Sequence, residues 1–317
     1  MFILDIVIVN WNSGKLLENC LNSIASSSYD LKKINVIVVD NASQDKSLEL
    51  ALPDNLSIDL IKLEYNAGFA KACNIGAESS NSKFILFLNP DTEVYHETLD
   101  KCINKMISRK DISVLGAKYF DEHNECVPSC SRFPSAINFF YDIFGFSKIF
   151  PKIFKGSSVI PVNVMDYGIS QPVDEVSGAF FFCRRSFLDK VGLFDEQFFV
   201  YFEEMDLAYR VKQAGGVVFY DADISLYHKG EGVSDQVKDK RLFYIVRSRL
   251  KFCRKHFSKV DYLLVFLISI FIEPLTRLIR LLIEFRFNEI NDLFKGYVLI
   301  YKYYITNVLK FLGLQNG

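Results

Sequence analysis

At 317 residues the chain has room for one large domain with an appendage, or for two domains. Its 37 basic and 38 acidic residues nearly cancel, which excludes a global attraction to nucleic acid. Half of the residues are hydrophobic and 15% are aromatic, which excludes disorder and calls for a large core, an apolar surface or both.

The N-terminal MFILDIVIVNWN has neither the basic region nor the small-residue cleavage site of a signal peptide. LDIVIVNW (4–11) is a β-branched apolar run and predicts a strand, and GKLLENCLNSIAS (14–26) has the apolar spacing of a helix. INVIVVDNAS (34–43) and IDLIKLEYN (58–66) predict a second and a third buried strand. GFAKACNIGAESS (68–80) predicts a helix rich in small residues, and ILFLNPD (85–91) a fourth strand. Apolar strands alternating with helices imply a mostly parallel, Rossmann-like α/β sheet covered on both faces.

Ligands of such sheets bind beyond the carboxyl ends of the strands. Here those ends carry Asn10 and Asn12, Asp40 and Asn41, Asn66, and Asn89 and Asp91, groups suited to hydrogen bonding a base and a ribose. A carboxylate that approaches a diphosphate needs a cation between the two anions. Asp91, with Asn89 or Glu93 nearby, is therefore a candidate for holding Mg2+ or Mn2+, and Pro90 would aim it outward. The ordinary alternative is that Asp91 or Thr92 caps the helix predicted near HETLDKCINKMIS. No G-x-x-x-x-G-K-[ST] occurs, and no G-x-G-x-x-G follows the first strand.

Cysteine usage fits a reducing compartment: there are seven, with no repeating pattern. Cys126 and Cys130 read as free thiols, because no second pair or nearby histidine completes a metal site. Residues 173–216 predict a strand, a short helix, an aromatic-rich loop and a helix opened by Glu203, Glu204 and Asp206. Acids at a helix start are favoured by the dipole, and Asp206 and Arg210 are spaced for an i,i+4 pair. A carboxylate just after FFVYF is partly desolvated, which makes Glu203 or Glu204 a better proton acceptor near neutral pH.

VIVNWNS, VIVVDNASQDKS, NAGFAKACNIGA, FLNPDTEV, VSGAFFFCRR, VGLFDEQFFVYFEEMDLAYRV and YHKGEGVS follow one another in order between residues 3 and 234. This series resembles family 2 glycosyltransferases of the GT-A fold, and within them the rhamnosyltransferase-like branch. The resemblance implies an inverting transfer from a nucleotide diphosphate sugar, possible donors including dTDP-rhamnose, to a lipid-linked or cell-surface glycan. It implies that Asp40 contacts the nucleoside, that Asn10, Asn12, Asn41, Asn66, Gly68, Asn74 and Asn89 line the donor side, and that Ser177 and Gly178 lie on the acceptor side. Asp91 would ligate the metal with His228 close by, and the Glu203–Glu204 pair would supply the base. Two departures matter: Asn89 stands where the metal motif often has Asp, and Glu204 stands where the acid pair commonly ends in Asp. The second leaves open which glutamate is the base.

His228 follows the strand DISLY and by itself reads as a structural or surface residue, while the resemblance implies a place near the metal and diphosphate. Gly230, Gly232 and Ser234 would let the next loop close as a lid, and Trp11 is expected to pack rather than stack on a base. From 238 to 259 basic residues crowd together, followed by YLLVFLISIFI (262–272), about half a bilayer span. Pro274 is expected to punctuate that run. Glu273, Arg277, Arg280 and Glu284 would then form one polar stripe on an apolar helix.

The sequence thus predicts a GT-A catalytic domain over 1–235 and a helical, basic and amphipathic region over 236–317. That region would be peripheral on the cytoplasmic face of the membrane, or else packed on the domain or on a second copy of the chain. Nucleic acid is not an expected partner. The rival readings are a catalytically silent nucleotide-sugar-binding subunit and a sugar nucleotidyltransferase, and the latter lacks a glycine-rich basic loop after the first strand.

Overall fold

The computed structural model describes residues 2–49, 53–146, 165–230 and 238–311. Strands β1 (Leu4–Asn10) and β2 (Ile34–Asp40) are buried at every position, as β-branched runs covered on both faces must be. Helix α1 (Lys15–Ala25) joins them and buries Leu17, Cys20, Leu21 and Ile24. Strand β3 (Ser57–Lys62) pairs parallel to β2. It is an edge strand with Leu60 exposed, not the third buried strand that its apolar residues predict. Helix α2 (Phe69–Glu78) leads to β4 (Phe84–Leu88), which pairs parallel to the other side of β1.

The second half inserts strands of mixed direction. After the short β5 (Thr92–Val94) come α3 (Thr98–Ser108), β6 (Ile112–Phe120), β7 (Cys126–Val127) and β8 (Cys130–Ser131). Further along lie β9 (Gln171–Pro172), β10 (Glu175–Val176), β11 (Phe180–Arg184) and, past two helices described below, β12 (Val217–His228). The main sheet runs β3-β2-β1-β4-β11-β6-β12-β5. β11 is antiparallel to β4 and β6, and β12 is parallel to β6, so the sheet is mixed but mostly parallel. An apolar core covers each face.

Chain contacts form two compact units that do not follow a single cut in the sequence. The first comprises Met1–Phe133, Val162–Phe199 and Glu203–Val233. The second comprises Pro134–Pro161, Val200–Phe202 and Ser234–Gly317.

The second unit is helical. Helix α4 (Ala136–Phe144) opens with a capping box between Ser135 and Asn138 and closes at Gly145 in the left-handed conformation. Helices α5 (Arg185–Val191) and α6 (Glu203–Gln213) belong to the first unit. Helix α7 (Lys238–His256) follows in the second. Next come α8 (Lys259–Leu267), a π turn (Ile268–Ile272), α9 (Glu273–Ile283) and α10 (Ile290–Phe311).

Pro274 does not end the helix. Proline lacks an N–H and crowds the carbonyl four residues back, and the π turn just before it relieves both demands. Helix continues from Lys259 to Ile283, 25 residues that are long and apolar enough to cross a membrane by length and composition. The expected polar stripe is also divided. Arg280 pairs with Glu284 at 2.8 Å, whereas Glu273 turns inward, only 1% exposed. There it accepts hydrogen bonds from Arg249 and from Arg277 Nε (2.9 Å), while Arg249 Nη2 donates to Ser269 Oγ at 2.9 Å. A buried guanidinium requires such a partner. Much of what is exposed is apolar: Leu263, Leu264, Leu267, Phe271, Leu275 and Ile279.

Small residues let α2 lie close on the sheet. A Cβ on Gly76 would stand 2.5 Å from Val7 Cγ1 and 3.1 Å from Val39 Cγ2. Gly76→Ala should therefore destabilise the chain despite alanine's advantage in a helix of about 1 kcal/mol, because overpacking costs about 1–3 kcal/mol. A double-mutant cycle with Val7→Ala, followed by denaturant unfolding, should give a favourable coupling. Simple additivity would rule out the close approach as the cause.

Candidate active site

The register of β1 on β2 sets Asn10 opposite Asp40. Asn10 is fully buried, and its Nδ2 donates to Asp40 Oδ1 (2.8 Å), Ser47 Oγ (2.8 Å) and Ser43 Oγ (3.1 Å). The Asn10 amide is thus committed to holding the Asp40 carboxylate rather than offered to a ligand. Asn12 adopts a left-handed φ of 49° and accepts the Gln44 N–H at 2.7 Å, and Trp11 beside it is half-buried.

Asn41 accepts the Ala67 N–H at 2.7 Å and donates to Asn66 Oδ1 and the Gly68 carbonyl, while Asn66 Oδ1 also accepts the Gly68 N–H at 3.0 Å. Gly68 has φ +90° and its Cα abuts the Phe199 carbonyl, which a Cβ would meet at 2.6 Å. Asn74 lies deeper in α2. Both ends of its amide bond the Phe194 backbone, at 2.8 and 3.0 Å, so it braces a loop.

At the end of β4, Asn89 N–H donates to the Ala179 carbonyl, and Thr92 Oγ1 donates to the Asn89 carbonyl at 2.6 Å. Thr92 then begins β5, and α3 starts only at Thr98, so neither Asp91 nor Thr92 caps a helix. Strand β12 pairs with β5, placing His228 opposite Thr92, and the Lys229 N–H bonds the Asp91 carbonyl at 3.0 Å. This stitching brings His228 Nε2 to 3.6 Å from Asp91 Oδ2. The imidazole meets the Tyr119 ring edge-on at 5.2 Å. Burial lowers the His228 pKa, with the Asp91 charge opposing, which favours the neutral, ligating form.

Asn89 Oδ1 is shut from solvent without a hydrogen-bond partner. Glu93 accepts from Asn19 at 3.2 Å and does not join Asp91. Among the described residues no three His, Cys, Asp or Glu side chains converge as a metal cage. Gly232 and Ser234 of the expected lid lie outside the described residues.

The acids of α6 meet a third carboxyl. Glu203 is 3% exposed and Glu204 is partly exposed, and each has its Oε2 sealed from water without a partner. Helix α6 packs on β10, where Glu175 is buried and accepts a hydrogen bond from Ser131 Oγ on the paired strand β8. The Glu204 side chain lies over Gly178, whose missing Cβ would touch it at 3.5 Å. Ser177 is braced by Tyr119, whose hydroxyl donates to its carbonyl at 3.3 Å.

Burial raises the Glu204 pKa. Burial and then the Glu204 charge push Glu203 well above the carboxylate range, and Glu175 up to about 8. Three carboxyls this close and this buried resist ionising together, so the charge of one raises the others. Glu175 was not singled out from sequence. Its only signal was an acid at a strand-like position two residues before Ser177. Asp206 is fully buried and pairs with Arg210 at 2.8 Å, the ordinary i,i+4 ion pair.

The profile described as Glycosyl transferase family 2 matches residues 5–165. The chain is 24% identical over 243 residues to the N-acetylglucosaminyl-diphospho-decaprenol L-rhamnosyltransferase of Mycobacterium tuberculosis, covering 71% of this chain and 76% of that one. Among solved structures, it is similar to the mannosyltransferase PcManGT of Pyrobaculum calidifontis, solved with GDP-Man and Mn2+. The TM-score is 0.54 at 16% identity, over 86% of this chain and 71% of that one. It is also similar to S. aureus TarS 1–349 in complex with UDP-GlcNAc, with TM-score 0.53 at 15% identity, over 96% and 92% of the two chains. It spans only 44% of the longer TarS chain. These neighbours share the GT-A fold, and the profile extends over more than half of the sequence: the chain belongs to glycosyl transferase family 2, and it is a glycosyltransferase.

Proposed function

We propose that the chain is an inverting transferase that moves a sugar from a nucleotide diphosphate donor to a hydroxyl of a lipid-linked or cell-surface glycan. The observation that carries this reading is the cluster of Glu203, Glu204 and the buried Glu175 at the head of α6, with Glu204 lying over Gly178, in the compact unit that also carries the Asp91–His228 pair at a strand end. Rhamnose from dTDP-rhamnose is the favoured donor. The support is the Mycobacterium tuberculosis relative, whose name specifies an L-rhamnosyl group and a diphospho-decaprenol acceptor.

Asp40, held by Asn10, hydrogen-bonds the nucleoside. Asp91 and His228 suit Mg2+ or Mn2+, with the unpartnered Asn89 Oδ1 beside them in sequence. Such ions usually take one or two protein ligands and complete their shell with substrate phosphate and water, so a pair of residues is sufficient. When bound, the ion would neutralise charge on the diphosphate. Glu204 accepts the proton of the acceptor hydroxyl as its oxygen attacks the anomeric carbon. The bond to the diphosphate oxygen breaks on the opposite face, the diphosphate leaves with the electron pair, and the configuration inverts.

The C-terminal helices are read as lying on the inner face of the cell membrane. Their support is the exposed apolar face of Lys259–Ile283 and the exposed Arg254, Lys255 and Lys259 near its start.

Three outcomes test this reading. Asp91→Ala should abolish the stabilisation that a matching nucleotide sugar gives in Mg2+ or Mn2+, measured as a shift in melting temperature with and without chelator. A donor shift that is indifferent to metal in the unaltered chain would remove the cation from the site.

Glu204→Gln should keep donor binding and lose transfer by roughly two to four orders of magnitude, with Glu203→Gln less affected. Because burial raises the Glu204 pKa, the acid limb of kcat/KM should lie above the ordinary glutamate value, with activity falling as pH drops and the base retains its proton. The reverse ranking of the two variants would make Glu203 the base.

In flotation with anionic liposomes the full chain should bind. Salt should weaken binding only in part, and Phe271→Glu with Leu275→Glu should abolish it. A chain that ignores liposomes at low salt and instead self-associates would assign that face to a second copy.

A further inference from the structure

The turn that enters β11 joins residues of the acceptor side to residues of the metal side. The Phe180 N–H closes it on the Ser177 carbonyl at 3.3 Å, and Ser177 Oγ accepts the Ala179 N–H at 3.3 Å. Within it lies Gly178, where a Cβ would stand 3.5–3.6 Å from three carbons of the Glu204 side chain. The Ala179 carbonyl accepts the Asn89 N–H at 3.0 Å, so the same turn ties down the strand end that leads to Asp91. All of these residues belong to the first compact unit.

One side chain of the same unit touches both sides. Tyr119 of β6 is 1% exposed, and its hydroxyl donates to the Ser177 carbonyl at 3.3 Å. That oxygen already accepts the Phe180 N–H, and a carbonyl has a lone pair for each. A buried phenol needs such a partner, so the ring and the turn are fixed relative to one another. In the register of β6 on β12, Tyr119 stands opposite Leu226, and residues two apart on a strand point to one face. His228 therefore lies on the same side of the sheet as Tyr119. Their rings meet edge-on, with centroids 5.2 Å apart and planes at 71°, a favoured aromatic geometry. The imidazole seated this way has its Nε2 3.6 Å from Asp91 Oδ2.

We infer that Tyr119 is a positioning residue for both halves of the transfer: its ring seats His228 beside Asp91, and its hydroxyl fixes the Ser177–Phe180 turn that lies under Glu204. This rests on the reading of Asp91 and His228 as the metal pair and of Glu204 as the base. The two tasks fall to different atoms of one side chain, so substitution separates them. Removing the hydroxyl leaves a ring of the same shape against His228 and loosens only the turn. Removing the ring as well loosens both.

The test uses the full chain, Mn2+, a short-chain N-acetylglucosaminyl diphospholipid as acceptor, and the nucleotide sugar that most raises the melting temperature, dTDP-rhamnose being tried first. Tyr119→Phe should lower kcat/KM for the acceptor by roughly ten- to hundredfold, the scale of misplacing a reacting group by up to about an ångström. The Mn2+ concentration that gives half of the donor-induced melting shift should stay unchanged in that variant. Tyr119→Leu should lose at least as much activity and should need roughly tenfold more Mn2+ for the same shift, as when the support of a metal ligand is removed. A residue that only filled the core would lower the melting temperature in both variants without this split. If Tyr119→Leu fails to fold, Tyr119→Phe decides alone, because it deletes only one oxygen. Unchanged kcat/KM or a weakened Mn2+ response in Tyr119→Phe would overturn the inference, and so would equal Mn2+ responses in the two variants. A Glu204→Gln variant that transfers at full rate, or a donor shift in the unaltered chain that is indifferent to Mn2+, would instead remove the underlying reading, and this inference with it.

Discussion

The parallel pairing of β1 with β2 on one side and β4 on the other is the constraint on which the rest depends. Strands that run the same way end at the same edge, so the seven-residue register from Leu4↔Ile34 to Asn10↔Asp40 fixes where the polar residues emerge. A slip of one residue would reverse which side chains enter each core, and both faces here are covered by apolar clusters that forbid it. The Asn10–Asp40 hydrogen bond seals the register at its polar end: a buried amide and a buried carboxylate satisfy each other only in this alignment.

The acids at the head of α6 are governed by two opposing effects. Burial disfavours their ionisation, while the helix amino terminus favours negative charge by about 0.3–1 kcal/mol in exposed settings, and more where solvent is excluded. Burial prevails for Glu203 and Glu175, which are almost wholly enclosed. Glu204 is partly open, so burial weighs less on it than on its two neighbours. That difference in exposure separates two adjacent, chemically identical residues, and no pattern of residue types could have separated them.

The sequence made the sheet and its polar rim legible because both rest on local patterns: β-branched runs and the polar residues that end them. It misjudged features that depend on which element lies next door. IDLIKLEYN is apolar enough for a buried strand, but it pairs on one side only. Glu175 is isolated in sequence and joins Glu204 only through the packing of α6 on β10. Glu273 looks like the start of a solvated stripe, and it is Arg249, 24 residues earlier, that draws it inward.

The π turn at Ile268–Ile272 also sets angular phase along the long C-terminal helix. Each residue of an α-helix advances the azimuth by about 100°, so Leu267, Phe271, Leu275 and Ile279, four apart each time, would drift steadily around an unbroken α-helix. Bonding from i to i+5 lodges an extra residue in one turn and takes up part of that drift. The same correction brings Ser269 and Glu273, also four apart, to one azimuth, where a single guanidinium meets both. One turn of irregular helix therefore keeps the apolar exterior and the ionic interior of the segment in step.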